Sequence, residues 1–394
     1  MDLGFAVPQS GSWATPANQV ALARRAEQLG YASLWAFQRL LYPADVATAD
    51  DPRRWPPVYR SVHDPLMTLA FLAGQTDRAR LGVAVLNMPW FSPLLLAKQA
   101  ATLDAVSGGR LDLGLGLGWA AEEYRATGAP TDRRGARAEE FVACLTACFA
   151  DGVVDFHGEF HDVGPALVDP KPVQRPRPPV LLGGGVEAAL RRAGRIADGW
   201  ISSSGQDLAS IGSAAAAVRD AARDAGRDPE TVRIVTRGVV RVRPGGAADR
   251  RPLTGSLDEV RTDLAVLAEQ GVTEVFLDLN FDSEVGSPDA DPDESVRRGL
   301  EVLEALAPCA AGPTTARSPA RWSGAGRWSA AGCRASSSGT AAGNKRPAGV
   351  SPAGPGTCRT GGSRSFSRAR RRRWPPYWPG CARDRRTPGW RRSR

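Results

Sequence analysis

The stretch Leu113-Gly-Leu-Gly-Leu-Gly118-Trp119, running on into Glu122 and Glu123, decides the fold. A short apolar run carries glycine at every second position, so one face of an expected strand has no side chains. Either something flat or bulky approaches that backbone or a neighbouring strand crowds it. Ala120 to Glu123 read as the start of a helix. Further on, Pro179-Val-Leu-Leu182-Gly-Gly-Gly185 repeats the plan: an apolar strand, a glycine turn, then a helix. A glycine turn feeding a helix N-terminus presents bare amides and the positive end of the helix dipole to an anion. The two segments together point to a barrel that holds a phosphorylated planar cofactor.

Outward from these segments, apolar strands and helices alternate. Strands are expected at 3–7, 33–37, 81–86, 111–117, 180–182, 199–202, 232–242 and 275–279. Helical spacing marks 16–29, 93–106, 134–149, 187–196, 208–225, 257–269 and 295–306. Pro16 suits a first helical turn, and Gly30 and Gly271 follow helix ends. Eight short apolar strands in alternation with helices predict an α/β fold, a (β/α)8 TIM barrel with insertion loops. A doubly wound open sheet is the competing arrangement. Two long connections stand out. Residues 40–63 are rich in Pro, Arg, Asp and Trp, and 151–178 hold Gly158-Glu-Phe-His161 and a proline-rich run. Long loops in a compact domain are often lids or binding loops, and the first of these lies on the catalytic face if the barrel is right.

The composition divides the chain. Residues 309–394 contain no Leu, Ile, Met or Glu, and carry 19 Lys and Arg against one Asp, or +18. Residues 1–308 carry 32 basic and 41 acidic side chains, or −9, so the whole-chain charge of +9 comes from the C-terminal segment. That segment has too little apolar surface to offset the entropy of ordering, and is expected to be a disordered basic tail. Its scattered Cys, Trp, Arg and Pro resemble GC-rich coding DNA read in a shifted frame. Arg370 to Arg373 beside Trp374 would be the argument for nucleic acid, which is not the expected partner. The domain boundary is set at Pro308, with a barrel at 1–308.

No charged segment followed by an apolar core opens the chain, and no apolar run is long enough to span a bilayer, so a cytoplasmic protein is expected. Cys144 and Cys148 lie on one helix and are read as reduced, packed thiols. His63, His157 and His161 are too scattered for a metal site, and none is expected. A small-molecule substrate is the expected partner, and a homodimer is left open.

Gly30-Tyr-Ala-Ser-Leu-Trp35, Leu94-Leu-Leu-Ala-Lys98-Gln-Ala-Ala-Thr-Leu-Asp104, Ser107-Gly-Gly-Arg-Leu111, Gly114-Leu-Gly-Leu-Gly-Trp119, Gly183-Gly-Gly185 and Arg192-Ala-Gly-Arg-Ile-Ala-Asp-Gly-Trp200, in this order, resemble the bacterial luciferase-like family. Within it they are most similar to oxidoreductases that use the deazaflavin coenzyme F420. The resemblance implies a ring lying over the C-terminal strand ends, backed by a non-proline cis peptide at Ala84–Val85. It also implies a phosphate at Gly183, Gly184 and Gly185, and a polar ring contact from Glu122. Many relatives carry Asp-His after strand two, where this chain has Gln38-Arg39. Gln38 then joins the cofactor contacts, while Arg39 and Trp119 become substrate contacts. Arg39 cannot exchange protons near neutral pH, so the proton-handling role of that histidine does not carry over. The implied activity is hydride transfer with F420. The alternatives are FMN-dependent oxygen insertion and a non-catalytic cofactor-binding barrel.

Each of these residues has a plainer reading. Gly114, Gly116 and Gly118 permit tight barrel packing, and Gly183–Gly185 turn the chain. Arg39 is then a solvated charge and Trp119 a core cap. Glu122 and Glu123 favour a helix start, and Asp198 orients a turn.

Overall fold

The computed structural model describes residues 1–308. The basic segment 309–394, and with it the expectation of a disordered or frame-shifted tail, lies outside the described residues. Strands β1 (Asp2–Ala6), β2 (Ser33–Ala36), β3 (Arg80–Asn87) and β4 (Leu111–Gly116) open the chain. The hairpin β5 (Val153–His157) and β6 (Asp162–Leu167) follows, then β7 (Val180–Gly183), β8 (Gly199–Ile201), β9 (Arg233–Val239), the two-residue strands β10 (Arg241–Val242) and β11 (Thr254–Gly255), and β12 (Glu274–Asp278). Eight of these close a parallel barrel in the order β1, β2, β3, β4, β7, β8, β9, β12 and back to β1. The closed barrel, not the open sheet, is therefore the architecture.

The helices are α1 (Pro16–Gln28), α2 (Pro65–Ala73), α3 (Pro93–Val106), α4 (Ala121–Thr127), α5 (Arg134–Phe149), α6 (Glu187–Ile196), α7 (Ile211–Asp224), α8 (Leu257–Glu269) and α9 (Pro292–Ala305). Their starts follow local chemistry. Thr15, Asp64, Ser92 and Asp291 each cap a helix that begins with proline, and Ser256 with Glu259 forms a full capping box. Among the described residues no helix is long and apolar enough to cross a membrane.

Three elements differ from the sequence expectation. Helix α2 was not anticipated, because Pro65–Ala73 is apolar nearly all round and shows no polar face to define a period. The hairpin β5–β6 forms inside the proline-rich connection, with Val153 and Leu167 left exposed, so no inward alternation marks it. The expected single strand 232–242 divides. Val240 N–H still bonds Asp278 O at 3.0 Å, but Arg241 N–H turns to Leu253 O, and β10 pairs with β11 outside the barrel.

The barrel interior is built in layers by period-two alternation. At the N-terminal end, Ser33, Arg80, Asp112, Arg233 and Glu274 point inward from five strands. Asp112 is fully buried and accepts Arg80 Nε at 2.8 Å and Arg233 Nη1 at 2.8 Å. Arg233 Nη2 reaches on to Glu274 at 2.8 Å. One level up, the Trp35 indole stacks on Phe276 with ring centroids 4.9 Å apart, in space that only a glycine at position 82 leaves open. The motif Ser107-Gly-Gly-Arg has a structural role. The buried Arg110 guanidinium donates to the carbonyls of Ala73, Thr76, Ala79 and Ser107, closing the C-terminal end of α2. Cys144 and Cys148 are free and buried, as read from the helix spacing, and burial pushes the Cys144 thiol up to about 12.

Burial alone would raise the Asp112 pKa, but Arg80 and Arg233 outweigh it and hold the carboxyl below its usual value. A depressed carboxylate stabilises the fold above its unfolded pKa of about 3.9 and loses that contribution as pH falls through the folded value. Asp112→Asn is therefore expected to cost about 3 kcal/mol at pH 7. That is the low end for a broken buried pair, because both arginines keep some solvent contact. Thermal melts should show the gap to the parent protein narrowing below about pH 4; a gap independent of pH would disprove the ionic role.

Candidate functional site

The C-terminal strand ends gather most of the expected site residues. Val83, Val85 and the glycines of β4 define one wall. A Cβ on Gly114 would collide with the Val83 carbonyl, and one on Gly116 would lie 2.5 Å from Val85 Cγ2. The side-chain-free face of β4 is thus crowded by the adjacent strand β3, whose pairing with β4 shifts register between Val83 and Leu86. The Ala84–Val85 peptide is cis. Ala84 O accepts a hydrogen bond from Arg237 Nη2, and Val85 is half-buried, its Cγ1 3.3 Å from where a Gly183 Cβ would stand.

Across the mouth, Gly183, Gly184 and Gly185 leave β7 and lead to α6. Gly184 adopts φ +133°, a conformation that side chains rarely take, and its carbonyl accepts Trp200 Nε1 at 2.8 Å. The N-cap of α6, Val186, provides no side-chain cap. Among the described residues the amides of Gly184 and Gly185 donate to no protein acceptor. Gly185 has open surroundings: a Cβ added there would meet only Gln206 Oε1, 3.5 Å away. This cradle of unengaged amides at a helix N-terminus fits a phosphate.

Gln38 is buried at the end of β2. Its Oε1 accepts Asn87 N–H at 2.9 Å, while its Nε2 has no partner among the described residues. Arg39 is not a solvated charge. Its side chain is 7% exposed, pairs with Glu123 at 3.3 Å, and lies 4.7 Å from the Trp119 ring and 4.9 Å from the Tyr59 ring. The Arg39 guanidinium is thus held by Glu123 and by aromatic faces. Trp119 is half-buried and packs on Trp55, with Arg54 4.2 Å from its ring. Trp55 and Tyr59 come from the 40–63 connection, which folds as three short 3-10 turns over the barrel mouth.

Glu122 and Glu123 have different roles. Glu122 faces that connection, accepting Asp50 N–H at 2.8 Å, and so helps to hold the cover. Glu123 is the buried acid. Burial raises its pKa, while Arg39 and the Leu40 amide, 2.7 Å away, pull it down; the net shift is upward. The sequence singled out Glu122 for a ring contact; the structure buries Glu123 instead and leaves Glu122 facing the cover. Asp198 lies at the opposite end of the barrel, where it accepts Val180 N–H at 2.7 Å and pairs with Arg177. It orients a turn.

Arg237 was missed altogether. It projects from β9 into the mouth, pairs with Asp278 at 2.8 Å, and is ringed by Phe37, Phe276 and Phe281 at 5.1 to 5.4 Å. Its position was hidden because arginine in the middle of a strand reads as an outward residue until barrel closure is known. Among the described residues no group of three His, Cys, Asp or Glu side chains could hold a metal ion.

The crowded glycine strand, the unengaged amides and the aromatic cover thus meet at one end of a closed parallel barrel. The family model of luciferase-like monooxygenases matches residues 3–274, and the chain belongs to that family. An uncharacterised protein of Mycobacterium tuberculosis is 31% identical over 291 residues, covering 72% of this chain and 92% of the relative. The FMNH2-dependent dimethylsulfone monooxygenase of Pseudomonas putida is 36% identical over 152 residues, 38% of this chain and 41% of that enzyme. The coenzyme F420-dependent tetrahydromethanopterin reductase of Methanopyrus kandleri shares the fold, with a TM-score of 0.59 at 18% identity over 78% of this chain and 98% of that one.

The contact between Gly116 and Val85 generates a test. Gly116→Ala should destabilise the protein by about 1–3 kcal/mol through overpacking. Adding Val85→Ala should recover a large part of that loss in thermal melts, since it removes the colliding methyl group. Strict additivity of the two changes would show that the glycine serves something other than strand packing.

Proposed function

We propose that this protein is an oxidoreductase that binds coenzyme F420 at the barrel mouth and transfers hydride to or from a small organic substrate. The observation that carries the reading is the cradle at Gly183–Gly185, where two amides without protein acceptors meet an uncapped helix N-terminus. The cofactor phosphate would rest there, with the α6 dipole favouring its charge. Ala84, Val85 and Gln38 would border the ring. A bound deazaflavin supplies the hydride-carrying carbon, and the chain supplies binding, orientation and a dry surround.

The chain's own residues then divide the work. Gln38 holds Asn87 through its carbonyl and keeps its amide nitrogen free for a ring oxygen or nitrogen. Trp55, Tyr59 and Trp119 cover the mouth and exclude water. Arg39 carries its charge into the mouth already balanced by Glu123, so the pair orients the cover and does not serve as a proton relay through arginine. Substrate contacts to Trp119 and to the exposed Arg54 beside it follow from their place at the rim.

A second reading, FMN-dependent oxygen insertion, is favoured by the 36% identity to the dimethylsulfone monooxygenase over 152 residues. The same phosphate cradle suits FMN. Calorimetric titration of the full chain with each cofactor separates the two: F420 is expected to bind more tightly, and FMN binding at least as tight would transfer the assignment. Binding of neither would leave the oxidoreductase reading without support.

The cradle itself is tested at Gly185. Gly184 is a poor choice, since its positive φ and an Ala189 Cβ 2.6 Å from any added Cβ would strain every substitution. Gly185→Val should melt within a degree or two of the parent yet bind cofactor at least about tenfold more weakly, the scale of one lost charge-assisted hydrogen bond. An unchanged dissociation constant would remove the phosphate from this turn.

A further inference from the structure

A separate cavity of about 230 Å³ opens beside the barrel, between the chain leaving β3 and β4, the first turns of α5, and the tip of the β5–β6 hairpin. Its walls include Met88, Leu117, Phe141 and Phe160, and its rim carries Arg134 and Arg137. Nothing in the reading given above uses it.

The electrostatics of that rim are one-sided. The nearby carboxylates are already engaged. Glu140 accepts the amides of Glu159, Phe160 and His161 at 2.7 to 2.8 Å, Glu159 pairs with Arg133, and Asp132 pairs with Arg137 at 3.3 Å. Arg134 has no ion-pair partner among the described residues. The N-cap of α5, Arg133, sits at φ +50° without a side-chain cap, and the amides of Arg134, Gly135 and Ala136 donate to no protein acceptor among those residues. The positive end of a sixteen-residue helix and an unpaired guanidinium therefore stand at the rim of an apolar chamber. Arg133 and Arg137 lie 4.9 and 4.3 Å from the Phe160 ring, which holds that aromatic side of the chamber in place. An apolar interior excludes polar ligands, and a cationic rim without a free carboxylate repels cations.

We propose that this cavity is a binding site for a small amphipathic monocarboxylate, its hydrocarbon body among Met88, Leu117 and Phe141 and its carboxylate on Arg134 and the α5 N-terminus. Because the walls at Met88 and Leu117 continue directly from β3 and β4, an occupant would lie close to the ring-bordering strands without sharing the phosphate cradle.

The test is calorimetry of the full chain with octanoate, with octanol and octylammonium as matched probes. Octanoate should bind at least about tenfold more tightly than either. The single variant Arg134→Gln, at an exposed side chain without an ion-pair partner among the described residues, should keep its melting temperature while losing about tenfold or more in octanoate affinity. Gly185→Val should leave octanoate affinity unchanged. Equal binding of octanoate and octylammonium, or full affinity in Arg134→Gln, would overturn the site. Loss of octanoate binding in Gly185→Val would show that the probe occupies the barrel mouth instead.

Discussion

A single buried carboxylate sets the frame of this barrel. Asp112 takes guanidinium groups from β3 and from β9, and β9 stands on the far side of the lumen from β4. Arg233 extends the chain of charges to Glu274, and Glu274 Oε1 in turn accepts Trp35 Nε1 at 2.9 Å and the Ser33 hydroxyl. Five strands are thereby tied at their N-terminal ends. Four charges meeting in a low-dielectric space would be costly if any were left alone; here each finds a partner, so register is fixed across the barrel as well as between neighbours.

What lies above depends on that register. With Arg233 at the base, alternation along β9 carries Val235 into the middle layer and Arg237 to the mouth; along β12 it carries Glu274, Phe276 and Asp278 to the same three levels. The Arg237–Asp278 pair is therefore a second ionic level, reached by the same two strands that supply the first. Between them the Trp35–Phe276 stack fills the lumen. The barrel is solid up to the mouth, so a ligand meets only the strand ends and the loops.

Family membership and local departures from the family pattern bear on different questions. The glycine wall, the cis Ala84–Val85 peptide and the Gly183–Gly185 turn are features of the scaffold. Gln38 and Arg39, which follow β2, show how the structure sets local departures. Arg39 has a buried counter-charge, Glu123, and a set of aromatic faces, so that end of β2 is closely packed. The 40–63 cover is held to α4 through Glu122 and Glu123, which accept the Asp50 and Leu40 amides.

The sequence by itself determined the eight barrel strands, most of the helices and the glycine turn after β7, because these follow from local alternation, capping chemistry and motif order; the cis position at Ala84–Val85 came from the family resemblance and from no local signal. It could not choose between the two uses of Gly114 and Gly116. Whether a strand or a ligand crowds a bare backbone depends on the distance to Val83 and Val85, which only barrel closure fixes. It did not separate Glu122 from Glu123, since adjacent residues on a helix start differ by which partner folds against them: Asp50 for one, Arg39 and Leu40 for the other. Arg237 and Asp112 were invisible as a group for the same reason. Their partners lie 41 and 121 positions away along the chain, at Asp278 and Arg233, and a charge inside a strand acquires meaning only when the far wall of the barrel brings it an opposite one.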